Sequence, residues 1–173
     1  MKRSLCAFLL LVGGAASAEP IDGLYEVTKV DDKPAIELLK APETVWARYV
    51  LLYGGGKVTA KIQVVHKTKD ADRFVLCNAA VTVPVTWKDI SYTVPEDASG
   101  ESAFVSLVKS KEGDRTKVST EQKSCTVFLK KGTYKVQKTK DGAKLTASEG
   151  GVFTLAPAEA EPNWADIVSN PRK

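Results

Sequence analysis

The sequence predicts an all-β fold, mainly antiparallel, in which sequential hairpins close into an up-and-down β-barrel with one short helix after the first strand. Three observations predict it. From Ile21 onward, apolar residues recur with a period of two, which is the spacing of half-buried strands. Turns rich in glycine and aspartate separate these runs at short intervals, so consecutive strands form hairpins. Closure removes exposed sheet edges, which favours the barrel over the alternative, a two-sheet β-sandwich.

The first half of the chain predicts a strand followed by a short helix, and then a long hairpin. Asp32 can cap the helix, and Pro34 fits its first turn. Three consecutive glycines, at positions 54–56, separate the two strands of the hairpin. The predicted strands of this half span residues 24–30, 45–53, 58–64 and 73–83, and the predicted helix spans residues 35–40.

The second half repeats short strands joined by tight turns. Pro84 interrupts an apolar run and marks an edge, a bulge or a corner. Residues 95–101 are predicted to form a loop, and Lys140-Asp141-Gly142 a hairpin turn. The predicted strands span residues 86–94, 103–109, 117–130 (as one bent strand or two short ones), 133–137, 144–148 and 152–155.

The first 18 residues have the pattern of a cleavable secretory signal peptide. Lys2 and Arg3 precede an apolar run over residues 5–12, and Ala16-Ser17-Ala18 fits the small-x-small cleavage pattern. The apolar run is far shorter than the ~20 residues that a membrane-spanning helix needs, so we expect no integral membrane span. The predicted organisation is a signal peptide (1–18), a β-barrel domain (19–157) and a tail (158–173) with a short helix over residues 163–168. We expect the protein to be exported, to the periplasm or the extracellular space.

Removal of this leader changes both the charge and the number of cysteines. The formal net charge falls from +4 to +2 once Lys2 and Arg3 are lost, and such a balanced chain argues against nucleic acid as a partner. Of three cysteines, Cys77 and Cys125 remain. Two cysteines in an exported protein predict a disulfide, with a pair of buried free thiols as the alternative.

Two segments carry a family resemblance. Asp22-Gly23-Leu24-Tyr25 resembles the Gly-x-Trp signature that opens the first strand of lipocalins, with tyrosine in place of tryptophan. Residues 132–136 and 141–146 resemble the paired late strands of such domains. The chain is thus similar to the lipocalin-like, calycin-type small β-barrels of exported bacterial proteins. The resemblance implies a barrel whose interior holds an apolar ligand. The alternation of the central hairpin places five candidate ligand-binding residues there: Tyr49, Leu51, Tyr53, Val58 and Ile62. The alternative is that such side chains fill a closed core.

No catalytic motif is present in the sequence. His66 is the one histidine, and neither a nucleophile elbow nor a phosphate-binding loop occurs. We therefore expect a monomeric, non-enzymatic binding protein without metal or cofactor. The alternative is a cell-envelope or secreted interaction protein, such as an inhibitor of an exported hydrolase, which would bind its protein partner through residues 95–101 or the tail.

Overall fold

The strands form one curled antiparallel sheet, a half-barrel, in the computed structural model, which describes residues 21–39, 41–69, 73–109 and 116–159. This confirms the all-β class with a short helix after the first strand. The predicted signal peptide and the predicted helix over 163–168 lie outside the described residues. The elements are β1 (Gly23–Val30), β2 (Lys33–Pro34), α1 (Ala35–Leu39), β3 (Thr44–Gly54), β4 (Lys57–Lys67), β5 (Arg73–Pro84), β6 (Thr86–Lys88), β7 (Ser91–Val94), β8 (Ala98–Lys109), β9 (Thr116–Leu129), β10 (Gly132–Thr139), β11 (Gly142–Ala147) and β12 (Val152–Pro157).

The sheet contains two blocks of hairpins, one from β6 to β12 in the sheet order and one from β1 to β9. The pairing of β12 with β1 joins them. Its order is β6-β7-β10-β11-β12-β1-β3-β4-β5-β8-β9, and β2 pairs with β1. The central hairpin of β3 and β4 pairs without interruption from Trp46↔Val65 to Gly54↔Lys57. Gly55 and Gly56 adopt positive φ in its turn, which explains why glycines stand there.

A long two-stranded ribbon connects the two ends of this order. β7 pairs with β10 and β8 pairs with β9, and residues 95–97 and 130–131 form the corner between the two halves. The half formed by β7 and β10 pairs with β11 through β10. The half formed by β8 and β9 pairs with β5 through β8. The Asp97 carboxylate fixes the corner, since it accepts a hydrogen bond from the Lys131 N–H at 2.8 Å and lies 3.0 Å from Lys130 Nζ. These two hydrogen bonds hold the pKa of Asp97 below its usual value.

Three predicted elements differ from the observed ones. The predicted start of the helix is the first, because Pro34, expected in its first turn, pairs with Lys29 as part of β2, and Asp32 takes a positive φ of 64° in the turn before β2. The predicted strand over residues 86–94 is a hairpin of β6 and β7, because Asp89 takes a positive φ of 52° in a turn. Ile90 is the next residue of that turn, and its side chain is exposed. Because it is apolar, it continued the alternation of the following strand and led to the prediction of one uninterrupted strand. The predicted loop over 95–101 is shorter, because β8 already begins at Ala98. Residues 99–102 have no apolar alternation, and their pairing with β9 makes them a strand.

The core lies on the concave side of the sheet, which we call the inner face. Val58, Ala60 and Ala79 are fully buried there, on adjacent positions of neighbouring strands. A layer of aromatic rings fills the region beside the central hairpin turn. Tyr53 is its centre, with its ring centroid 5.7–6.3 Å from those of Tyr25, Trp87 and Tyr92. This part of the half-barrel is therefore packed with side chains.

Cys77 of β5 and Cys125 of β9 form a disulfide, with their Cα atoms 6.2 Å apart. The prediction from the cysteine count is confirmed. β9 pairs with β8 only and is the last strand of the sheet order. The bond ties this edge strand to β5, which lies beyond β8.

None of the described helical residues belongs to a helix long and apolar enough to cross a membrane.

Candidate binding cavity

A cavity of about 470 Å³ lies between the end of β1 and the middle of β3. Helix α1 lies between these two strands in the chain, contacts both, and forms one wall. The volume lies within the range of roughly 300–1,000 Å³ that is typical of small-molecule sites. The wall is mainly apolar, with contributions from β1, β3, β11 and β12 that include Val27, Val30, Leu51, Leu145, Ala147 and Phe153.

Three tyrosines complete the wall, and all three have hydroxyls engaged within the protein. The Tyr49 hydroxyl donates to the Phe128 carbonyl at 2.9 Å, and the Tyr134 hydroxyl donates to the Lys130 carbonyl at 2.8 Å. The Tyr92 hydroxyl is 3.2 Å from that of Tyr53. The rings of Tyr92 and Tyr134 stack with centroids 5.1 Å apart. Because the protein itself satisfies these hydroxyls, the tyrosines present mainly their rings to the cavity.

The wall of the cavity carries no charge from these tyrosines at physiological pH. Burial raises the pKa of Tyr49, Tyr92 and Tyr134 above the ordinary value, since desolvation disfavours the phenolate. Charged lining residues come instead from the ribbon corner, Lys130 and Lys131, and from the turn before β12, Glu149, and all three are exposed. The cavity thus has an apolar, neutral interior and a charged rim.

Two of the five predicted ligand-binding residues line this cavity. They are Tyr49 and Leu51, neighbours on the inner face of β3. Tyr53 and Val58 lie in the packed core, and Ile62 packs against that core. That these five residues bind a ligand stays a prediction.

Sequence reasoning missed the lining residues of α1, β11 and β12. The inward alternation of Ala143, Leu145 and Ala147 is visible in the sequence, so their inner position could have been predicted. Their closeness to Tyr49 depends on the pairing of β12 with β1, which no local pattern reveals.

Two acidic residues of the predicted loop, Asp97 and Glu101, engage in structural contacts. Asp97 fixes the ribbon corner, and the Glu101 carboxylate accepts a hydrogen bond from the Ser124 hydroxyl. Among the residues that the structure describes, no three histidine, cysteine, aspartate or glutamate side chains lie close enough together to hold a metal ion.

His66 lies on the inner face of β4, outside the cavity. Its Nδ1 is 3.0 Å from the Thr44 hydroxyl oxygen, and its ring centroid is 5.4 Å from that of Phe104. Partial burial lowers the pKa of His66 from 6.5, and the carboxylate of Glu43 opposes this shift. The imidazole is therefore mainly neutral at pH 7.

We expect the imidazole of His66 to titrate with a midpoint below 6.5 in the folded protein and near 6.5 in urea. Because the folded pKa is the lower one, the contribution of His66 to stability is complete above pH 6.5 and declines as the pH falls through the folded pKa. The chain has a single histidine, so its ring resonances in an NMR titration are unambiguous. A folded midpoint at or above the urea value would contradict the expected desolvation.

No family model, no curated protein and no solved structure matches this chain.

Proposed function

We propose that this chain is an exported, non-enzymatic, lipocalin-like binding protein that holds a small apolar ligand in the cavity beside α1. The observation that carries the proposal is the composition of the cavity wall. Aliphatic side chains and tyrosine rings with internally bonded hydroxyls form it, so a ligand would gain by burying apolar surface. The hydroxyls of Tyr49, Tyr92 and Tyr134, which could otherwise select a polar ligand through directed hydrogen bonds, are already paired within the protein. The disulfide is compatible with an oxidising location outside the cytoplasm.

Filling the cavity is expected to abolish binding of an apolar probe. Ala147 lines the cavity and is half-buried, so Ala147→Phe places a ring in the space that a ligand would occupy. We expect affinity for N-phenyl-1-naphthylamine, a neutral fluorescent probe, to fall at least about tenfold, which corresponds to ~1.4 kcal/mol. Titration of the probe into the purified protein, followed by its fluorescence, measures the effect.

Ala103→Phe is the matched control, because Ala103 is exposed on β8 and lies outside the cavity. This variant should bind the probe like the unmodified protein. Equal probe affinity of all three proteins, with unchanged circular dichroism, would refute the proposed ligand site.

A protein partner is the second candidate, and the rim of the cavity favours it. Leu38 of α1 is 58% exposed and Phe128 of β9 is 60% exposed, and both line the opening. Large apolar side chains on a rim are typical anchors of protein interfaces. A partner that docks on this rim, such as an exported hydrolase, would leave the interior of the cavity unused, so its binding would survive Ala147→Phe.

A further inference from the structure

The side of the sheet opposite the core, which we call the outer face, is positively charged over β6, β7, β10, β11 and β12. These five strands contain four lysines and no aspartate or glutamate. Lys88, Lys135 and Lys144 alternate along β6, β10 and β11 with residues that contact the core, so they point outward, and all three are exposed. The three lysines therefore belong to one solvent-exposed surface, which we call the lysine surface.

The strand register sets the spacing of these lysines. Ser91 of β7 pairs with Lys88 on one side and with Lys135 on the other, so the two lysines lie in one row, two strands or about 10 Å apart. Lys144 is opposite Gln137, two residues along β10 from Lys135, which makes Lys144 and Lys135 diagonal neighbours at roughly 7–8 Å. Three ammonium groups on flexible side chains can thus contact several charges of one extended ligand.

Carboxylates do not neutralise the centre of the lysine surface. Among the described residues, none of its three lysines forms an ion pair. The acidic residues of this part of the chain, Asp89, Asp141 and Glu149, lie in the turns at the strand ends. The residues that pair with Lys135 and Lys144 on the neighbouring strands are all neutral, namely Ser91, Thr146, Gln137 and Thr154. An anionic ligand would therefore meet uncompensated positive charge.

Hydroxyl groups surround the lysines, and aromatic rings are missing from the lysine surface. Thr93 and Thr133 lie side by side with their hydroxyl oxygens 3.2 Å apart. The aromatic residues of these strands belong to the core or pack against it, and they are Trp87, Tyr92, Tyr134 and Phe153. Within these five described strands, Val152 is the one large apolar side chain that is exposed. The lysine surface thus offers ammonium and hydroxyl groups for binding.

We propose that the lysine surface binds an acidic polysaccharide. Carboxylate or sulfate groups along the polymer pair with the ammonium groups, and sugar hydroxyls form hydrogen bonds with the serine and threonine hydroxyls. A single-stranded nucleic acid fits less well, because its bases stack on aromatic side chains, which are not present on this surface. An anionic membrane also fits less well, because interfacial binding needs several large apolar side chains beside the lysines, and Val152 is alone here.

Calorimetric titration of the purified protein with polygalacturonate tests the proposal. We expect binding that weakens as the salt concentration rises, and no binding of dextran, which is neutral. Lys135→Gln combined with Lys144→Gln should lower the affinity for polygalacturonate at least about tenfold. Both side chains are exposed on strands, so this double variant should fold normally, which its circular dichroism checks.

Lys67→Gln combined with Lys69→Gln is the matched control. It removes the same charge from two exposed lysines at the end of β4, outside the lysine surface, and should bind polygalacturonate like the unmodified protein. The proposal is overturned if both double variants lose affinity equally, or if the unmodified protein does not bind polygalacturonate. Tighter binding of phosphatidylglycerol vesicles or single-stranded DNA through Lys135 and Lys144 would also overturn it. Because the cavity lies on the inner side of the sheet, these outcomes are independent of the probe affinity that tests the proposed function.

Discussion

Replacing Cys77 and Cys125 together by alanine is expected to lower the free energy of unfolding by about 4 kcal/mol. The bond joins residues 48 positions apart, and the chain-entropy model assigns that loss to the greater freedom of the unfolded chain without the cross-link. Alanine is the suitable replacement because Cys77 is fully buried, so serine would add an unsatisfied hydroxyl. For a chain of this size, the melting midpoint should fall by roughly 8–16 °C.

Urea unfolding followed by circular dichroism measures this difference, and the reduced form of the unmodified protein is the matched control. Reduction breaks the same bond but keeps both sulfur atoms, so it separates the cross-link from the loss of side-chain volume. We expect the reduced protein and the double variant to unfold at similar urea concentrations. An oxidised protein that unfolds together with the reduced one would show that the cross-link does not stabilise this fold.

The sequence determined the central hairpin well because two local signals coincide there. Val58 and Ile62 alternate with polar residues, and Gly55 and Gly56 supply the positive φ that the turn requires. The hairpin of β6 and β7 has no glycine to mark its turn. Its turn is formed by Asp89 and by Ile90, whose apolar side chain continues the alternation of a strand. The long ribbon was also beyond local reasoning, since its corner depends on the contact of Asp97 with Lys131 on a distant strand.

The disulfide could be predicted because it follows from export and cysteine number alone, whereas the cavity could not be located. Tyr49 and Tyr53 lie on the same face of β3, and nothing local distinguishes them. Tyr53 is packed because Trp87 and Tyr92 reach it from β6 and β7, while Tyr49 faces open space beside α1. Gln63 is the clearest case of this limit. Its position among the polar residues that alternate along β4 predicts a solvent-exposed side chain, whereas the structure buries it completely.

Gly142→Ala is expected to lower the free energy of unfolding by about 4 kcal/mol, because two costs add at this position. Gly142 begins β11 with φ at +147°, a conformation that residues with a Cβ rarely adopt. A Cβ there would also lie 2.0 Å from the Leu155 carbonyl oxygen of β12 and 3.0 Å from the carbonyl carbon. Both atoms belong to the backbone, so no side chain can rotate away and the two strands must separate locally.

Gly150→Ala separates these two costs. Gly150 also has a positive φ, at +98°, but an added Cβ would meet nothing within 4 Å. We therefore expect Gly150→Ala to cost only the backbone strain, about 1–2 kcal/mol, when both variants are compared by urea unfolding. The difference between the two variants measures how tightly β11 and β12 must pack. Equal losses of unfolding free energy in the two variants would mean that β12 can move away from β11 at no cost. The cavity wall that Leu145 and Phe153 form would then be flexible.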